Sequence, residues 1–132
     1  MPNAYNTVKS YFDALVARDA ETLIAMMLPV GHYVKIGTDA GEVVQGSTEI
    51  AAYYRNHAAS TEDFSIKFIN LDVQEREDTA WFYTRQVWKL KWQGTSEEFV
   101  MRMTGVLEKT DTSWKFAQIH ASIGVSITED TL

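Results

Sequence analysis

Apolar and polar side chains alternate along the last third of the chain in three long runs. The runs cover residues 79–92, 97–109 and 114–125, and two short polar stretches rich in Gly, Asp, Ser and Thr separate them. β-Branched and aromatic residues crowd the runs, which is typical of strands, and the polar stretches are typical of hairpin turns. The pattern predicts three consecutive antiparallel strands.

The first half of the chain has the periodicity of helices. Val8, Tyr11, Phe12 and Leu15 recur at spacings of three and four residues and predict a helix over 4–18. A short second helix is expected over 20–28, before Pro29. Asp19 is expected to cap this second helix through its carboxylate, which is a commoner role for such a residue than catalysis. A third helix is expected over 48–59, with Ser47 as its N-cap.

Strands are also predicted between and after the helices. The segment His32–Gly37 and residues 42–45 form a short hairpin, and residues 64–76 form a long strand with a bulge near Ile69 and Asn70, where the alternation slips. This order predicts an α+β fold. Long strands must twist, so we expect a cone-shaped, curved antiparallel sheet with three N-terminal-half helices covering its concave face. A ligand would bind in the hollow of that cone.

Composition narrows the class of protein. The chain has 132 residues, of which 45% are hydrophobic, which suits one domain over residues 1–132 with its own core. The net charge of −6 argues against a nucleic acid or an anionic membrane as partner. No signal sequence or membrane span is predicted, so a cytoplasmic location is expected. There is no cysteine, no metal-ligand spacing and no Gly-rich phosphate loop, so neither a metal nor a cofactor is expected.

Hairpin register brings two arginines together. With a two-residue loop at Gln93 and Gly94, Arg85 falls opposite Arg102. The next turn places Arg102 opposite Ala121. A one-residue bulge in any strand would swap the faces of the residues that follow it.

Two arginines facing each other among apolar residues would be costly to bury without an anion. We therefore expect Arg85 and Arg102 to line a ligand pocket, where Tyr83 and Thr104 orient the ligand by hydrogen bonds. The alternatives are that an internal carboxylate such as Glu42 neutralises them or that one of them reaches solvent. Further walls of the pocket are expected from three tyrosines: Tyr11, Tyr33 and Tyr53.

The other face of the same strands carries a polar stripe of Gln118, His120 and Ser122. A general base could be placed in this way, and so could a polar patch at an interface between two copies. His120 is the candidate catalytic base if the final strand is bulged inward. Both faces are rich in apolar residues, so a second copy is expected to cover the face that the helices leave free, which predicts a homodimer.

Several segments resemble a known superfamily. They are ARDAETL (17–23), GTDAGEVVQGSTEI (37–50), YTR (83–85), RMTGVLEK (102–109) and WKFAQIHASIG (114–124). Together with the order of elements, they resemble the nuclear transport factor 2-like superfamily, the cystatin-like cone fold of ketosteroid isomerase, scytalone dehydratase and SnoaL-like cyclases. The likeness is greatest to the SnoaL-like branch that includes the association (hub) domain of calcium/calmodulin-dependent protein kinase II.

The resemblance implies a fold more specifically than a function. Arginines in the hub pocket bind small carboxylates, and the Tyr-x-Arg match puts Arg85 on one of them. The other hub positions hold Ile50, Gly105 and Ala121 here, so that pocket is not reproduced, and Arg102 is expected to compensate. The catalytic Tyr–Asp pairs and paired histidines of the isomerase and dehydratase branches find no matching positions.

Three functions follow as hypotheses. The first is a small-molecule-binding domain whose pocket takes a compact anionic or carbonyl ligand. The second is a cofactor-independent isomerase, cyclase or dehydratase of the ketosteroid isomerase type, in which a base removes a proton beside a carbonyl and a buried donor stabilises the enolate. The third is an oligomerisation module with a vestigial pocket.

Overall fold

A computed structural model describes residues 3–29 and 33–124. Three helices, α1 (Ala4–Val16), α2 (Ala20–Ala25) and α3 (Ser47–Ser60), lie in the N-terminal half. Six strands follow the order of the sequence: β1 (Val34–Ile36), β2 (Val43–Gln45), β3 (Thr61–Arg76), β4 (Thr79–Trp92), β5 (Thr95–Lys109) and β6 (Trp114–Ile123). The predicted α+β fold is confirmed. The predicted strand residues His32 and Val125 lie outside the described residues.

The six strands form one curved, unclosed sheet in the order β2-β1-β6-β5-β4-β3. Neighbouring strands are antiparallel except β1 and β6, which run parallel. Between these two strands, the chain crosses through α3 from β2 at one edge of the sheet to β3 at the other edge. The sheet is therefore not wholly antiparallel. No helix among the described residues is long and apolar enough to cross a membrane.

Helix ends follow local chemistry at one site and depart from the prediction at another. The Asp19 carboxylate accepts hydrogen bonds from the Thr22 amide at 3.2 Å and the Thr22 hydroxyl at 2.7 Å, so the predicted cap is confirmed. The predicted Ser47 cap is wrong. Gly46 occupies the N-cap position of α3 with φ +84°, and no side chain caps this end of the helix by a hydrogen bond.

The helices pack on one face of the sheet, which we call the inner face. Phe12 of α1 stacks edge-to-face on Phe68 of β3 and Phe82 of β4, and Tyr11 meets the ring of Phe116 on β6. The opposite, outer face carries side chains such as Tyr83, whose side chain is 43% exposed. The core of the protein thus lies between the helices and the inner face.

Two bulges set which residues point inward. Ile69 is extra between the pairs Phe68–Gln86 and Asn70–Arg85, which confirms the predicted bulge in β3. In β6 the pairing with β5 shifts by one residue between Val106–Gln118 and Leu107–Phe116.

A long-range contact lies beside the β6 bulge. The Phe116 amide donates to the Met26 carbonyl at 2.9 Å, and the Phe116 carbonyl accepts from the Leu28 amide at 3.0 Å. Phe116 therefore gives both backbone groups to the segment after α2. Beyond it, Ile119 and Ala121 turn inward, and Gln118 and His120 turn outward.

Candidate functional site

A cavity of about 1070 Å³ lies between the inner face, α1, α3 and the turn that joins β1 to β2. Its floor is apolar and comes from three neighbouring strands: Trp88, Leu90, Met101, Met103 and Ala121. Alternate residues of a strand point to one side, which is why these side chains of β4, β5 and β6 share this space. The size and the apolar floor suit a small organic molecule.

One buried cation faces this cavity. Lys35 on β1 is the only lysine or arginine lining it among the described residues, and it is 5% exposed. Its Nζ atom lies 5.0 Å from the centre of the Tyr53 ring. Within the described part of the chain, no carboxylate oxygen lies within 4.0 Å of this atom. Burial lowers the Lys35 pKa to about 8, and the negative charge of Glu42 opposes part of this lowering.

Acidic side chains surround the mouth of the cavity. Asp39 and Glu42 come from the β1–β2 turn, and Glu97 and Glu98 come from β5. All are exposed except Glu42, which is partly buried. These carboxylates would repel an anionic ligand as it enters the cavity, and they would not repel a neutral ligand.

Three tyrosine hydroxyls form a buried chain beside the cavity. Tyr54 Oη lies 2.9 Å from Tyr11 Oη and 3.2 Å from Tyr33 Oη. Burial raises the pKa of all three groups, so they stay protonated. Three hydroxyls share two hydrogen bonds, which leaves one hydroxyl proton to donate elsewhere. Tyr11 is the member that lines the cavity.

His57 on α3 also lines the cavity and is buried. Its Nε2 lies 3.4 Å from the Leu15 carbonyl oxygen, and only an N–H can pair with that acceptor. Nδ1 therefore carries the free lone pair. Burial lowers the pKa of His57, which favours the neutral ring.

The structure separates the predicted site residues. Tyr53 lines the main cavity, and Tyr33 belongs to the tyrosine chain and lines a second cavity of about 280 Å³. The other predicted residues do not line the main cavity, and all lie exposed on the outer face: Tyr83, Arg85, Arg102, Thr104 and His120. The prediction that this face lines the hollow of the cone is therefore wrong.

The predicted register between the arginines is confirmed, although their predicted surroundings are wrong. Arg85 pairs with Arg102 across β4 and β5. Arg102 pairs with Ser122, not with Ala121, because the β6 bulge shifts the register. Asn70 Oδ1 accepts from the Arg85 Nε at 3.4 Å, and Ser122 Oγ accepts from the Arg102 Nε at 3.1 Å.

Polar residues of the inner face pair with one another. Trp88 Nε1 donates to Gln86 Oε1 at 2.7 Å, Gln86 Nε2 donates to Thr84 Oγ1 at 3.3 Å, and Thr84 Oγ1 donates to the Asn70 carbonyl at 2.7 Å. Because each group is paired, a threonine and a glutamine can be buried at little cost. The sequence had indicated a pocket on the opposite face, because Arg85 and Arg102 face each other there.

Lys35 was missed because a lysine in a short strand is usually solvated. The available signal was the alternation of side chains along a strand, in which every second residue points to the same side. Tyr33, just before β1, and Lys35 point to one side, and Val34 and Ile36 point to the other, so a buried Tyr33 brings Lys35 inward with it.

The structure shows no candidate metal site, since no three His, Asp or Glu side chains gather in the described ranges 3–29 and 33–124.

Residues 5–126 match the family model of the SnoaL-like domain. The chain belongs to the SnoaL-like domain family. The resemblance noted in the sequence is thereby confirmed, and the match covers all the described strands and helices except the first residue of α1.

Solved structures share the fold of this SnoaL-like domain. A proposed dehydratase of the nuclear transport factor 2-like family from Streptomyces avermitilis aligns with a TM-score of 0.81 and 21% identity, covering 91% of this chain and 92% of that one. A ketosteroid isomerase-like protein from Erwinia carotovora atroseptica aligns with a TM-score of 0.76 and 19% identity, covering 92% of this chain and 94% of that one.

A third structure is similar at the same level. A proposed calcium/calmodulin-dependent protein kinase type II association domain from Thiobacillus denitrificans aligns with a TM-score of 0.79 and 17% identity, covering 95% of this chain and 98% of that one. No curated protein matches the sequence. At these identities the likeness establishes the fold of the SnoaL-like domain and leaves its function to the site.

Proposed function

We propose that this SnoaL-like domain binds a compact small molecule in the cavity between the helices and the inner face. The observation that carries the proposal is the buried Lys35, which lines a cavity of about 1070 Å³ with an apolar floor and has no carboxylate within 4.0 Å of its amine in the described chain. A buried cation without a partner is costly, and a polar ligand group would offset that cost.

The sequence left an anionic and a carbonyl ligand open, and the electrostatics favour the carbonyl. Four carboxylates surround the mouth, and Lys35 is the only cation inside it among the described residues. A neutral ligand avoids repulsion at the rim and still offers its oxygen to donors within. Tyr11 and Tyr53 are the proposed ligand-contacting tyrosines, since both line the cavity.

Methionine NMR tests this proposal inside one molecule. Met101 and Met103 line the main cavity, Met27 lines the smaller one, and Met26 lines neither. With ¹³C-methyl-labelled methionine, acetophenone is expected to shift the signals of Met101 and Met103 and to leave that of Met26 in place. Benzoate, its carboxylate counterpart, is expected to do so more weakly. Absence of a shift at both cavity methionines with either probe would contradict the proposal.

Catalysis of enolisation is the second candidate, and the tyrosine chain favours it. Tyr11 can donate the spare hydroxyl proton to a ligand carbonyl, and Lys35 lines the same cavity as a candidate base. Exchange of the acetophenone methyl protons for deuterium in D₂O tests this activity by NMR. Exchange lost in Lys35→Met and slowed in Tyr11→Phe would support it, and an uncatalysed rate with the intact protein would exclude it for this ketone.

A second copy of the chain is proposed to cover the outer face. Four large apolar side chains are exposed there: Ile69 (48%), Trp81 (43%), Tyr83 (43%) and Val100 (47%). Asp72 lies beside Tyr83 on the same face and would be available to an arginine of a copy related by a two-fold axis.

Two earlier expectations stay predictions: ligand contacts of Arg85, Arg102 and Thr104, and a catalytic role of His120.

A further inference from the structure

The backbone of β1 brings the Lys35 side chain into the main cavity. Lys35 pairs with Ile119 of β6, which is fully buried, whereas the flanking Val34 and Ile36 are only partly buried. The lysine therefore stands on the inner face, among the core residues. Its stem is buried and its amine lines the cavity.

A nearby carboxylate is held away from that amine. The Asp39 amide donates to Glu42 Oε2 at 3.4 Å, and the Glu42 carboxylate lies over Gly37, where a Cβ atom would stand 2.1 Å from Glu42 Cδ. The absence of a side chain at Gly37 gives the carboxylate this position. Glu42 lies in the turn that follows the strand of Lys35, and the two side chains form no ion pair within 4.0 Å.

The titratable groups that line the cavity with Lys35 come from four elements. They are Tyr53 and His57 of α3, Tyr11 of α1, Asp39 and Glu42 of the β1–β2 turn, and Glu97 and Glu98 at the mouth on β5. The Tyr53 ring and the carboxylates favour the ammonium form, but three of the four carboxylates are exposed to solvent that screens them. The buried surroundings favour the neutral amine.

A lowered pKa makes that neutral amine available near neutral pH. Burial lowers the pKa from the ordinary 10.5 to about 8. At pH 7 the fraction of neutral amine is then larger than that of an ordinary lysine by about 300-fold, which is ten to the power of the 2.5-unit difference. Desolvated lysines of this kind serve as nucleophiles toward carbonyl compounds.

We propose that Lys35 condenses with the carbonyl group of a compact aldehyde or ketone bound in the main cavity, forming a Schiff base. The inference rests on the proposed function, because it requires a carbonyl ligand in that cavity. It specifies the ligand class as one whose carbonyl carbon is open to attack, and it assigns Lys35 as the residue that reacts.

The condensation balances without any further reagent. The lone pair of the neutral amine attacks the carbonyl carbon, a C–N bond forms, and the C=O π pair moves to oxygen, which takes a proton. The nitrogen lone pair then forms C=N as the C–O bond breaks, and the oxygen leaves as water with both amine protons. The free Nδ1 of His57 and the hydroxyl of Tyr11 are the cavity groups suited to moving these protons.

Reductive trapping in the intact protein tests the inference. The chain is incubated with benzaldehyde and cyanoborohydride, which delivers hydride to the imine carbon and leaves a stable benzylamine, and the modified lysines are located by tandem mass spectrometry. Lys109, exposed at the end of β5 and away from the outer face, serves as the internal control. Lys35 is expected to be labelled at least about tenfold faster than Lys109 at pH 7, in line with its larger neutral fraction. Lys35→Arg keeps a cation but forms no imine.

The outcomes separate this inference from the proposed function. Preferential labelling of Lys35, slowed by acetophenone that does not slow labelling of Lys109, supports both. Methionine shifts at Met101 and Met103 with benzaldehyde in Lys35→Arg, together with labelling of Lys35 no faster than that of Lys109, would overturn the Schiff base and leave the binding function standing. Loss of both the shifts and the preferential labelling would overturn both.

Discussion

Lys35 Nζ lies 5.0 Å from the centre of the Tyr53 ring, inside a cavity where no carboxylate of the described residues pairs with it. The Tyr53 ring face offsets part of the cost of burying the charge, and the remaining cost appears as a pKa lowered to about 8. This cost determines how stability should depend on pH.

Lys35→Met is expected to be more stable than the natural chain at neutral pH. The folded-state pKa of about 8 lies below the unfolded value of 10.5, so the full penalty is present below pH 8 and disappears as pH rises to 10.5. The difference of 2.5 units corresponds to about 3 kcal/mol. Urea unfolding at pH 7 and pH 10 should show the advantage of the variant shrinking. Lys109→Met, at an exposed site away from the outer face, should show no such trend, and an advantage of Lys35→Met that is constant with pH would contradict the prediction.

Tyr54→Phe is expected to destabilise the fold by about 1–3 kcal/mol, because it removes the central hydroxyl and both hydrogen bonds of the tyrosine chain. Tyr33→Phe removes one of these bonds and should cost less. Thermal unfolding compares the two variants with Tyr5→Phe, a change at a residue that is 46% exposed. Equal losses in the two buried variants would argue against a shared chain of hydroxyls.

Gly105→Ala is expected to cost about 1–3 kcal/mol of unfolding free energy through overpacking of the core. An added Cβ would stand 2.4 Å from Phe82 Cε1 and 2.8 Å from the Gln118 carbonyl oxygen, and neither the packed ring nor the backbone can move away easily. Gly41→Ala is the matched control, since nothing lies within 4 Å of its added Cβ. Urea unfolding that finds the two variants equally stable would show that β4 and β6 yield at this point.

Tyr83→Glu should dissociate the proposed homodimer, because it places a charge at the centre of the exposed apolar part of the outer face. Sedimentation velocity should show a dimer for the natural chain and a monomer for the variant. Val43→Glu changes a residue that is 54% exposed on β2, away from β3, β4 and β5, and should leave the dimer intact. A monomeric natural chain would refute the proposal.

Much of the fold was predictable because it depends on neighbours in sequence. The bounds of β4 were predicted in full, as were the bulge at Ile69 and the pairing of Arg85 with Arg102. These features are determined locally, by the alternation of side chains along a strand, by the residues of the turns and by the two-residue length of the hairpin loop. The Asp19 cap is local in the same sense.

The candidate site was less predictable because it depends on contacts between distant segments. The two arginines that face each other, Arg85 and Arg102, indicated an anion between them and hence a pocket on their face, whereas the helices cover the opposite face. Lys35 stood out by neither motif nor spacing. Its burial follows from the pairing of β1 with β6, which joins residues more than 80 positions apart.

By itself, the sequence determined the order of the elements, the register of the β4–β5 hairpin and the family, because apolar periodicity and turn residues act over a few positions. Only the tertiary structure decided which face of the sheet the helices cover and hence which side chains meet in a cavity. The physical reason is packing between distant segments: Phe116 makes its backbone hydrogen bonds with Met26 and Leu28, and the register of β6 against β5 shifts beside it. The same long-range packing leaves Arg85 and Arg102 in solvent and encloses Lys35.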